Sequence, residues 1–320
     1  MLTVSQYTQI VNDAIGNIEY PAHLPGLYEP IKYAMSAPGK RLRPVLLLAC
    51  CDAFGGEIDH CVWPAAGIEI FHNFTLVHDD VMDNADTRRG LPTVVNKWDV
   101  NTAILSGDAM VSMAYKSMAG CPPMFLPEVI DRFSMMTMNV YEGQQLDADF
   151  ETSESVTFDQ YIQMVIGKTS ALIAYPCAIG ALIAGASQQD IAAVFNFGIS
   201  LGIAFQMQDD YLDVYGDPTT FGKQIGGDIL NDKKTWLRII AADRDCADSF
   251  KRIGEAAISP QEKIKAVTEL YDSLGLRQYG ESLIARYTSD ACSALDESSM
   301  PMPAKAWLVE FANRLIHRSK

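Results

Sequence analysis

Apolar residues recur at three- and four-residue spacing in nearly every long segment of this chain, and alternating strand-like patterns are nearly absent. Such spacing places the apolar side chains on one face of an α-helix. Turn residues such as Pro38-Gly39 and Pro122-Pro123 separate these periodic segments. We therefore expect an all-α fold, in which residues 1–320 form a single domain built as a bundle of roughly 10–13 helices. The pattern predicts helices over residues 3–18, 26–36, 41–54, 61–84, 99–119, 123–150, 158–186, 189–215, 227–243, 260–273, 276–296 and 303–317.

The composition indicates a globular protein with a sizeable core, since 48% of the 320 residues are hydrophobic and 20% are charged. A net charge of -15 disfavours nucleic acid as a partner. The seven cysteines include no CxxC pair, which is typical of a reduced, cytoplasmic protein. We expect no stable membrane insertion, because the apolar run from Ala171 to Ala186 is shorter than the roughly 20 residues of a membrane span. The N-terminus also lacks the features of a signal peptide.

The strongest chemical signal is a DDxxD motif that occurs twice inside strongly apolar stretches. The first and third aspartates of each motif are four residues apart, so they share one face of a helix. Buried carboxylates are costly unless they are paired or hold a metal ion, and Mg²⁺ is usually held by one or two carboxylates plus substrate phosphates. A single DDxxD motif would be explained equally well by a solvated helix end and by a metal site. Two copies of the motif favour a magnesium site, in which several ions are held around one diphosphate. The motifs contain Asp79, Asp80 and Asp83, and Asp209, Asp210 and Asp213.

Basic residues cluster at a few points despite the net charge of -15. Lys40, Arg41 and Arg43 lie at a predicted junction of loop and helix, and Arg88 and Arg89 follow the first DDxxD motif. Clustered cations of this kind suit a phosphate-like anion. A surface turn, or neutralisation of a helix C-terminus, would explain each cluster without a ligand.

Several isolated polar residues share faces with these motifs. His72 precedes Asp79 by seven residues on the same helix face, where a core role and a ligand role are equally plausible. Gln206 shares a stripe with Asp209, which favours a substrate contact over a core hydrogen bond. Lys168 lies within an apolar helix and needs a partner there. Further lysines that could reach phosphate oxygens are Lys223 and Lys233.

A set of short motifs lies in order along most of the chain, reading GKRLRP, EIFHNFTLVHDDVMD, TRRG, GKTS, FQMQDDYLD, GKQIGGD and NDKKT. With this set the chain resembles the trans-isoprenyl diphosphate synthases of the polyprenyl synthetase family. The resemblance implies an isoprenoid synthase fold with a deep central cavity, and a homodimer. It also implies a reaction in which isopentenyl diphosphate attacks the cation left by an ionising allylic diphosphate, with about three Mg²⁺ ions per active site. The ions would be held by Asp79, Asp83 and Asp209.

The resemblance also implies roles for the other polar residues. Lys168, Thr169 and Gln206 would form the catalytic group, in which Thr169 and Gln206 line the carbocation. Isopentenyl diphosphate would be bound by Lys40, Arg43, His72 and Arg89, and the allylic diphosphate by Arg88, Lys168, Lys223 and Lys233. The individual roles of the remaining aspartates stay open, and pairing with a metal ligand or with a lysine is the alternative to binding the metal. These aspartates are Asp80, Asp210 and Asp213.

Phe74 and Thr75 lie five and four residues before Asp79 and bear on the length of the product. By resemblance, one aromatic residue at the fifth position favours geranylgeranyl diphosphate, the C20 product, over the C15 product farnesyl diphosphate. A helical wheel aligns Thr75 with Asp79 better than Phe74. Met110 and Met113, on another predicted helix, are alternative residues for the end of the product cavity.

Two other classes of protein compete with a synthase. A class I terpene cyclase also uses a DDxxD motif and Mg²⁺, but GKRLRP, His72 and TRRG would then have no explanation. A non-catalytic subunit of a heteromeric synthase typically lacks one aspartate cluster, and this chain has both. We therefore favour an elongating synthase.

Overall fold

The computed structural model describes residues 1–217 and 225–316, and for residues 245–248 it describes only the backbone. Lys223, a predicted ligand of the allylic diphosphate, lies outside the described residues. The chain groups into two compact units. One contains Met1–Met135 with Tyr175–Val194, and the other contains Met136–Ala174 with Phe195–Lys320. The expectation of a single domain stays a prediction.

Apart from one short antiparallel ribbon, the regular secondary structure of the described residues is helical, so the predicted all-α class is confirmed. The ribbon pairs β1 (Thr87–Arg88) with β2 (Leu91–Pro92). The helices are α1 (Val4–Gly16), α2 (Pro25–Ser36), α3 (Leu42–Ala53), α4 (Val62–Met82), α5 (Val94–Lys97), α6 (Val100–Met118), α7 (Leu126–Thr152), α8 (Phe158–Val165), α9 (Ala171–Ile183), α10 (Gln188–Tyr215), α11 (Gly227–Leu230), α12 (Trp236–Ala241), α13 (Ala247–Glu255), α14 (Pro260–Ser273), α15 (Leu276–Ala294) and α16 (Met302–Ile316).

The first unit is built around close packing of α4 against α6. A Cβ on Gly67 would lie 3.0 Å from the carbonyl oxygen of Ala114, and one on Gly107 would lie 2.2 Å from Nε2 of His78. These two glycines therefore let the helices approach more closely than larger residues would allow. That approach fixes the helix that carries the first DDxxD motif.

The second unit contains a similar close approach between α7 and a π-helical turn, Ile166–Ser170, that separates α8 from α9. A Cβ on Gly143 would lie 2.2 Å from the backbone nitrogen of Lys168, and one on Gly167 would lie 2.7 Å from the carbonyl oxygen of Asn139. A π-turn inside a helix often marks a functional site. Here it redirects the side chains of Lys168 and Thr169.

Most of the long predicted helices are present, with ends that differ by a few residues. The spacing of Thr157 and Gln160 in the sequence predicts a capping box. It is confirmed, since the backbone N–H of Gln160 donates to Oγ1 of Thr157 at 3.2 Å. The predicted helix over residues 227–243 is wrong, because the chain leaves α11 after Leu230 and starts α12 with Thr235 as a new N-cap. The segment Ala247–Glu255 forms a helix that the pattern did not predict.

Two helical segments are long and apolar enough to cross a membrane, Phe158–Ile183 and Gln188–Tyr215. In these segments, 83% and 61% of the most apolar stretch is buried inside the protein. Burial in the protein interior accounts for their apolar character, as for other core helices.

Candidate functional site

The first DDxxD motif lies at the C-terminal end of α4. Asp79 is half-buried and Asp83 is exposed, whereas Asp80 is only 4% exposed. Asp83 caps the helix, since its N–H donates to the carbonyl oxygen of Asp79 at 2.8 Å. Asp80 is therefore more deeply buried than the other two aspartates of the motif.

Asp80 is paired with an arginine from the ribbon. Nε of Arg88 donates to Oδ1 of Asp80 at 2.6 Å. Burial raises the pKa of Asp80, although Arg88 acts in the opposite direction. The ribbon turns back through Arg89 and Gly90, both at positive φ (53° and 77°), as the two-residue turns of twisted hairpins require. With this turn, the ribbon places Arg88 beside the C-terminal end of α4, where it contacts Asp80.

Arg41 has a structural role in the same unit. It is buried at a positive φ of 51°, and Nη1 lies 2.6 Å from Oε1 of Glu69. Nη2 donates to the carbonyl oxygens of Met35 and Ala37. Arg41 therefore fixes the loop before α3, and its neighbour Lys40 is left exposed.

Arg43 and His72 form the centre of a basic cluster. Nη1 of Arg43 lies 3.2 Å from Nε2 of His72, which is 8% exposed. Burial lowers the pKa of His72 well below its ordinary value, and nearby arginines lower it further. The imidazole is therefore neutral, and we assign its proton to Nδ1, because Nε2 accepts from Arg43. The arginines that act on His72 are Arg43, Arg89, Arg88 and Arg41.

The Nδ1 atom of His72 is buried and has no hydrogen-bond partner among the described residues. A buried donor without a partner is costly, so an acceptor from a ligand would stabilise it. Arg89 lies over the loop before α3, where its Nη1 donates to the carbonyl oxygen of Pro38 at 2.9 Å. The structure thus brings Arg43, His72 and Arg89 together, with Lys40 exposed on the same loop.

The second DDxxD motif lies near the C-terminal end of α10. Asp210 is 3% exposed and accepts hydrogen bonds from Oη of Tyr161 at 2.7 Å and from Nε2 of Gln206 at 2.9 Å. Burial and the neighbouring Asp228 raise the pKa of Asp210 to about 7, against the opposite effects of Lys233, Gln206 and Tyr161. Both carboxylate oxygens of Asp210 are thus held by groups of the protein.

Asp213, the last aspartate of this motif, accepts hydrogen bonds from Gly226 and Asp228. Its carbonyl oxygen accepts from the N–H of Gly226 at 2.7 Å, and its Oδ2 accepts from the N–H of Asp228 at 3.0 Å. Asp228 lies in the first turn of α11, so Asp213 supplies an acceptor to a helix N-terminus. Asp209 is half-buried one turn earlier in α10.

The π-turn residues contact carboxylate and amide groups on α7 and α10. Nζ of Lys168 donates to Oδ2 of Asp147 at 2.6 Å, which supplies the partner that a lysine in an apolar helix needs. Burial tends to raise the pKa of Asp147, but Lys233 and Lys168 bring it below its ordinary value. Oγ1 of Thr169 donates to Oε1 of Gln206 at 2.9 Å.

Asp147 and Tyr161 were not recognised from the sequence. Asp147 lies in EGQQLDAD, where several acidic and amide residues look alike. Tyr161 lies on the apolar face of α8 with no charged residue at helical spacing that would distinguish it from a core residue. Only the fold shows their partners.

The carboxylates fit magnesium that arrives with a phosphate ligand. Across the described residues, no group of three or more His, Cys, Asp or Glu side chains is arranged to hold a metal ion. Mg²⁺ commonly takes one or two protein carboxylates and completes its shell with water and phosphate oxygens. Asp79 and Asp83, one turn apart at an accessible helix end, meet that requirement.

Phe74 and Thr75 lie in the middle of α4. Phe74 is buried, and its ring centroid lies 5.2 Å from that of Phe71 and 4.6 Å from that of His78. Thr75 is half-buried and donates to the carbonyl oxygen of His72 at 2.8 Å. Their influence on product length stays a prediction.

Comparison with known proteins identifies the family. Residues 25–274 match the polyprenyl synthetase family. The geranylgeranyl diphosphate synthase of Sulfolobus acidocaldarius is 35% identical over 316 residues, which cover 95% of each chain.

Solved structures show the same fold. A geranylgeranyl pyrophosphate synthase superposes with a TM-score of 0.95 at 37% identity, covering 100% of both chains. A second one, from Corynebacterium glutamicum in complex with isoprenyl diphosphate and magnesium, gives a TM-score of 0.88 at 28% identity and covers 99% of this chain and 100% of that chain. The predicted isoprenoid synthase fold is confirmed, and the chain belongs to the polyprenyl synthetase family.

Proposed function

We propose that this protein makes geranylgeranyl diphosphate by a magnesium-dependent addition of isopentenyl diphosphate to an allylic diphosphate. As a member of its family the protein is a short-chain trans-prenyltransferase. The observation that carries the proposal is the neutral His72, whose buried Nδ1 has no acceptor among the described residues and lies among arginines. A diphosphate oxygen is an acceptor of the right charge.

Isopentenyl diphosphate is proposed to bind at Lys40, Arg43, His72 and Arg89. Arg41 already has a carboxylate partner in Glu69, so it supports the loop and does not contact the ligand. Guanidinium groups bind phosphate through paired N–H donors, which explains a site with arginine as its main cation. This substrate keeps its diphosphate during the reaction, so a site without a metal ion suits it.

The allylic diphosphate is proposed to bind at Arg88, Lys168, Lys223 and Lys233, with Mg²⁺ on Asp79, Asp83 and Asp209. Mg²⁺ neutralises the charge that develops on the departing diphosphate. Asp80 orients Arg88, and Asp147 orients Lys168, so both cations are held before substrate binds. Holding donors in place beforehand lowers the cost of stabilising charge in the transition state.

Thr169 and Gln206 are proposed to line the carbocation that remains after ionisation. Their hydrogen bond leaves the lone pairs of Thr169 Oγ1 for a positively charged neighbour. A dry surrounding is also needed, because water would capture the cation. Thr169 is buried apart from 8% of its surface, which fits that need.

A C20 product is supported by the relatives named above, which are geranylgeranyl diphosphate synthases. The single aromatic residue Phe74, five residues before Asp79, agrees with that length. The alternative is a C15 product.

A homodimer in the cytoplasm is also proposed. Large apolar side chains are exposed on α6, at Ile104 and Leu105, and on α7, at Met135, Met138 and Tyr141. Exposed apolar residues grouped on helices commonly mark an interface between proteins. Light scattering after size-exclusion chromatography measures the oligomeric state directly.

Incubation with isopentenyl diphosphate, Mg²⁺ and a C5, C10 or C15 allylic diphosphate tests the main proposal. We expect chromatography to show a C20 diphosphate, and no product when Mg²⁺ is chelated. Asp79→Asn should abolish most turnover, whereas Asp59→Asn, at an exposed position before α4, should not. A cyclic hydrocarbon without elongation would indicate a terpene cyclase, and no product from any primer would indicate a non-catalytic subunit.

A further inference from the structure

Four polar side chains of the second unit form one continuous chain of hydrogen bonds. Oη of Tyr161 donates to Oδ2 of Asp210 at 2.7 Å, and Nε2 of Gln206 donates to Oδ1 of Asp210 at 2.9 Å. Oγ1 of Thr169 then donates to Oε1 of Gln206 at 2.9 Å. All three distances are those of good hydrogen bonds. The chain connects α8, α10 and the π-turn.

The directions of the bonds follow from the amide of Gln206. Its NH₂ group can only donate, so Nε2 of Gln206 donates to Oδ1 of Asp210, while Oη of Tyr161 donates to Oδ2. The amide of Gln206 must then present its oxygen to Thr169. The hydroxyl of Thr169 therefore donates its proton to Gln206, and only its lone pairs remain for another neighbour.

Tyr161 is the outer end of this chain and is held firmly in place. It is 1% exposed, and its backbone N–H donates to the carbonyl oxygen of Thr157 at 3.0 Å in the first turn of α8. The capping box of Thr157 and Gln160 fixes where that helix starts. Three successive hydrogen bonds separate Tyr161 from Thr169, so these two residues are the two ends of the chain of hydrogen bonds.

We propose that Tyr161 is a positioning residue for the prenyl transfer reaction, acting through Asp210 to fix the amide of Gln206 and the hydroxyl of Thr169 toward the carbocation. This inference rests on the proposed function. Without the hydroxyl of Tyr161, Oδ2 of Asp210 is a buried acceptor with no donor. The carboxylate is then free to turn, and the amide of Gln206 and the hydroxyl of Thr169 lose their fixed orientation.

Tyr161→Phe tests the inference with Tyr7→Phe as a matched control. Tyr7 is also buried and also donates to an aspartate, with its Oη 2.5 Å from Oδ2 of Asp52, in the other unit. We expect Tyr161→Phe to lower kcat about 10- to 100-fold, the usual effect of removing a group that orients a catalytic residue. KM for both diphosphates should change less than about twofold, because neither is bound by Tyr161. Tyr7→Phe should keep the kcat of the wild type.

A double-mutant cycle with Thr169→Val separates positioning from a general loss of stability. If Tyr161 acts through Gln206 and Thr169, Tyr161→Phe should lower kcat clearly less in the Thr169→Val variant than in the wild type. Independent, multiplying effects would overturn the inference, as would wild-type kcat in Tyr161→Phe. A wild-type enzyme that forms no prenyl product would instead overturn the proposed function.

Asp210→Asn tests the same link if circular dichroism shows that Tyr161→Phe does not fold. Tyr161 and Gln206 contact different oxygens of Asp210, and an asparagine replaces one of these acceptors by an NH₂ donor, so it cannot accept from both in this geometry. We expect kcat to fall at least as far as predicted for Tyr161→Phe. An unchanged kcat would show that no carboxylate is needed to orient Gln206 and would overturn the inference.

Discussion

Nε of Arg88 donates to the buried carboxylate of Asp80 at 2.6 Å, so the middle aspartate of the first DDxxD motif is an ion-pair partner of the TRRG segment. The two outer aspartates, Asp79 and Asp83, are more accessible. One motif thus combines two tasks that the sequence pattern alone does not separate. The outer pair suits a metal ion, and the middle residue orients a cation.

Asp79→Asn and Asp80→Asn should therefore change different properties of the protein, namely its Mg²⁺ requirement and its stability. Asp79→Asn removes a proposed metal ligand, so we expect the Mg²⁺ concentration for half-maximal activity to rise at least about 10-fold. Asp80→Asn leaves Arg88 without its carboxylate, and because Arg88 is partly exposed we expect a loss of about 1–2 kcal/mol in unfolding free energy. Activity against Mg²⁺ concentration and urea denaturation measure the two effects. Equal shifts in Mg²⁺ requirement would contradict this division.

His72 should make the folded state sensitive to acid. Burial and the surrounding arginines lower the pKa of His72 in the folded state, while the unfolded chain keeps the ordinary value of 6.5. Below that value the unfolded state binds a proton that the folded state does not, so stability falls as pH decreases. Between pH 7.5 and 5.5 this amounts to about 1.4 kcal/mol.

Urea denaturation at these two pH values should show a smaller loss for His72→Gln than for the wild type. His23→Gln, at an exposed histidine, serves as the control and should keep the full pH dependence. An unchanged pH dependence in His72→Gln would show that other groups cause it.

Asp147 should matter for binding of the allylic substrate. Its Oδ2 accepts from Nζ of Lys168 at 2.6 Å, and Lys233 also lowers the pKa of Asp147. Asp147→Asn removes the charge that attracts both lysines, so we expect KM for the allylic diphosphate to rise about 10-fold while KM for isopentenyl diphosphate stays constant. Asp149→Asn, an exposed aspartate on the same helix that accepts from Gln145, is the matched control. Equal changes in both KM values would argue against this role.

The sequence predicted the parts of the site that depend on local spacing. Residues four apart on a helix share a face whatever the rest of the fold does, so the pairing of Asp79 with Asp83 could be predicted. The capping box at Thr157 is local in the same way. By contrast, the partners of Asp80 and Asp210 come from a hairpin and from another helix, and periodicity does not specify such tertiary contacts.

The break within residues 227–243 shows the same limit. Apolar residues continue at helical spacing there, but the N–H of Lys233 donates to the carbonyl oxygen of Asp228, and Thr235 starts a new helix. An apolar pattern does not show that a cap will interrupt it.

Product length should respond to opposite changes at Phe74 and Thr75. Phe74→Ala removes a buried ring that packs against Phe71 and His78, and the space it leaves should allow products longer than C20. Thr75→Phe places a ring about 40° from Asp79 around the helix axis, in the path of a chain that grows from the diphosphate, and should shorten the product to C15. Radiolabelled isopentenyl diphosphate followed by reverse-phase chromatography gives the length distribution. Phe71→Leu, at a fully buried neighbour of Phe74, controls for general loosening of α4. If Phe74→Ala leaves the length unchanged while Thr75→Phe shortens it, Thr75 alone marks the end of the cavity on α4, as the helical wheel suggests.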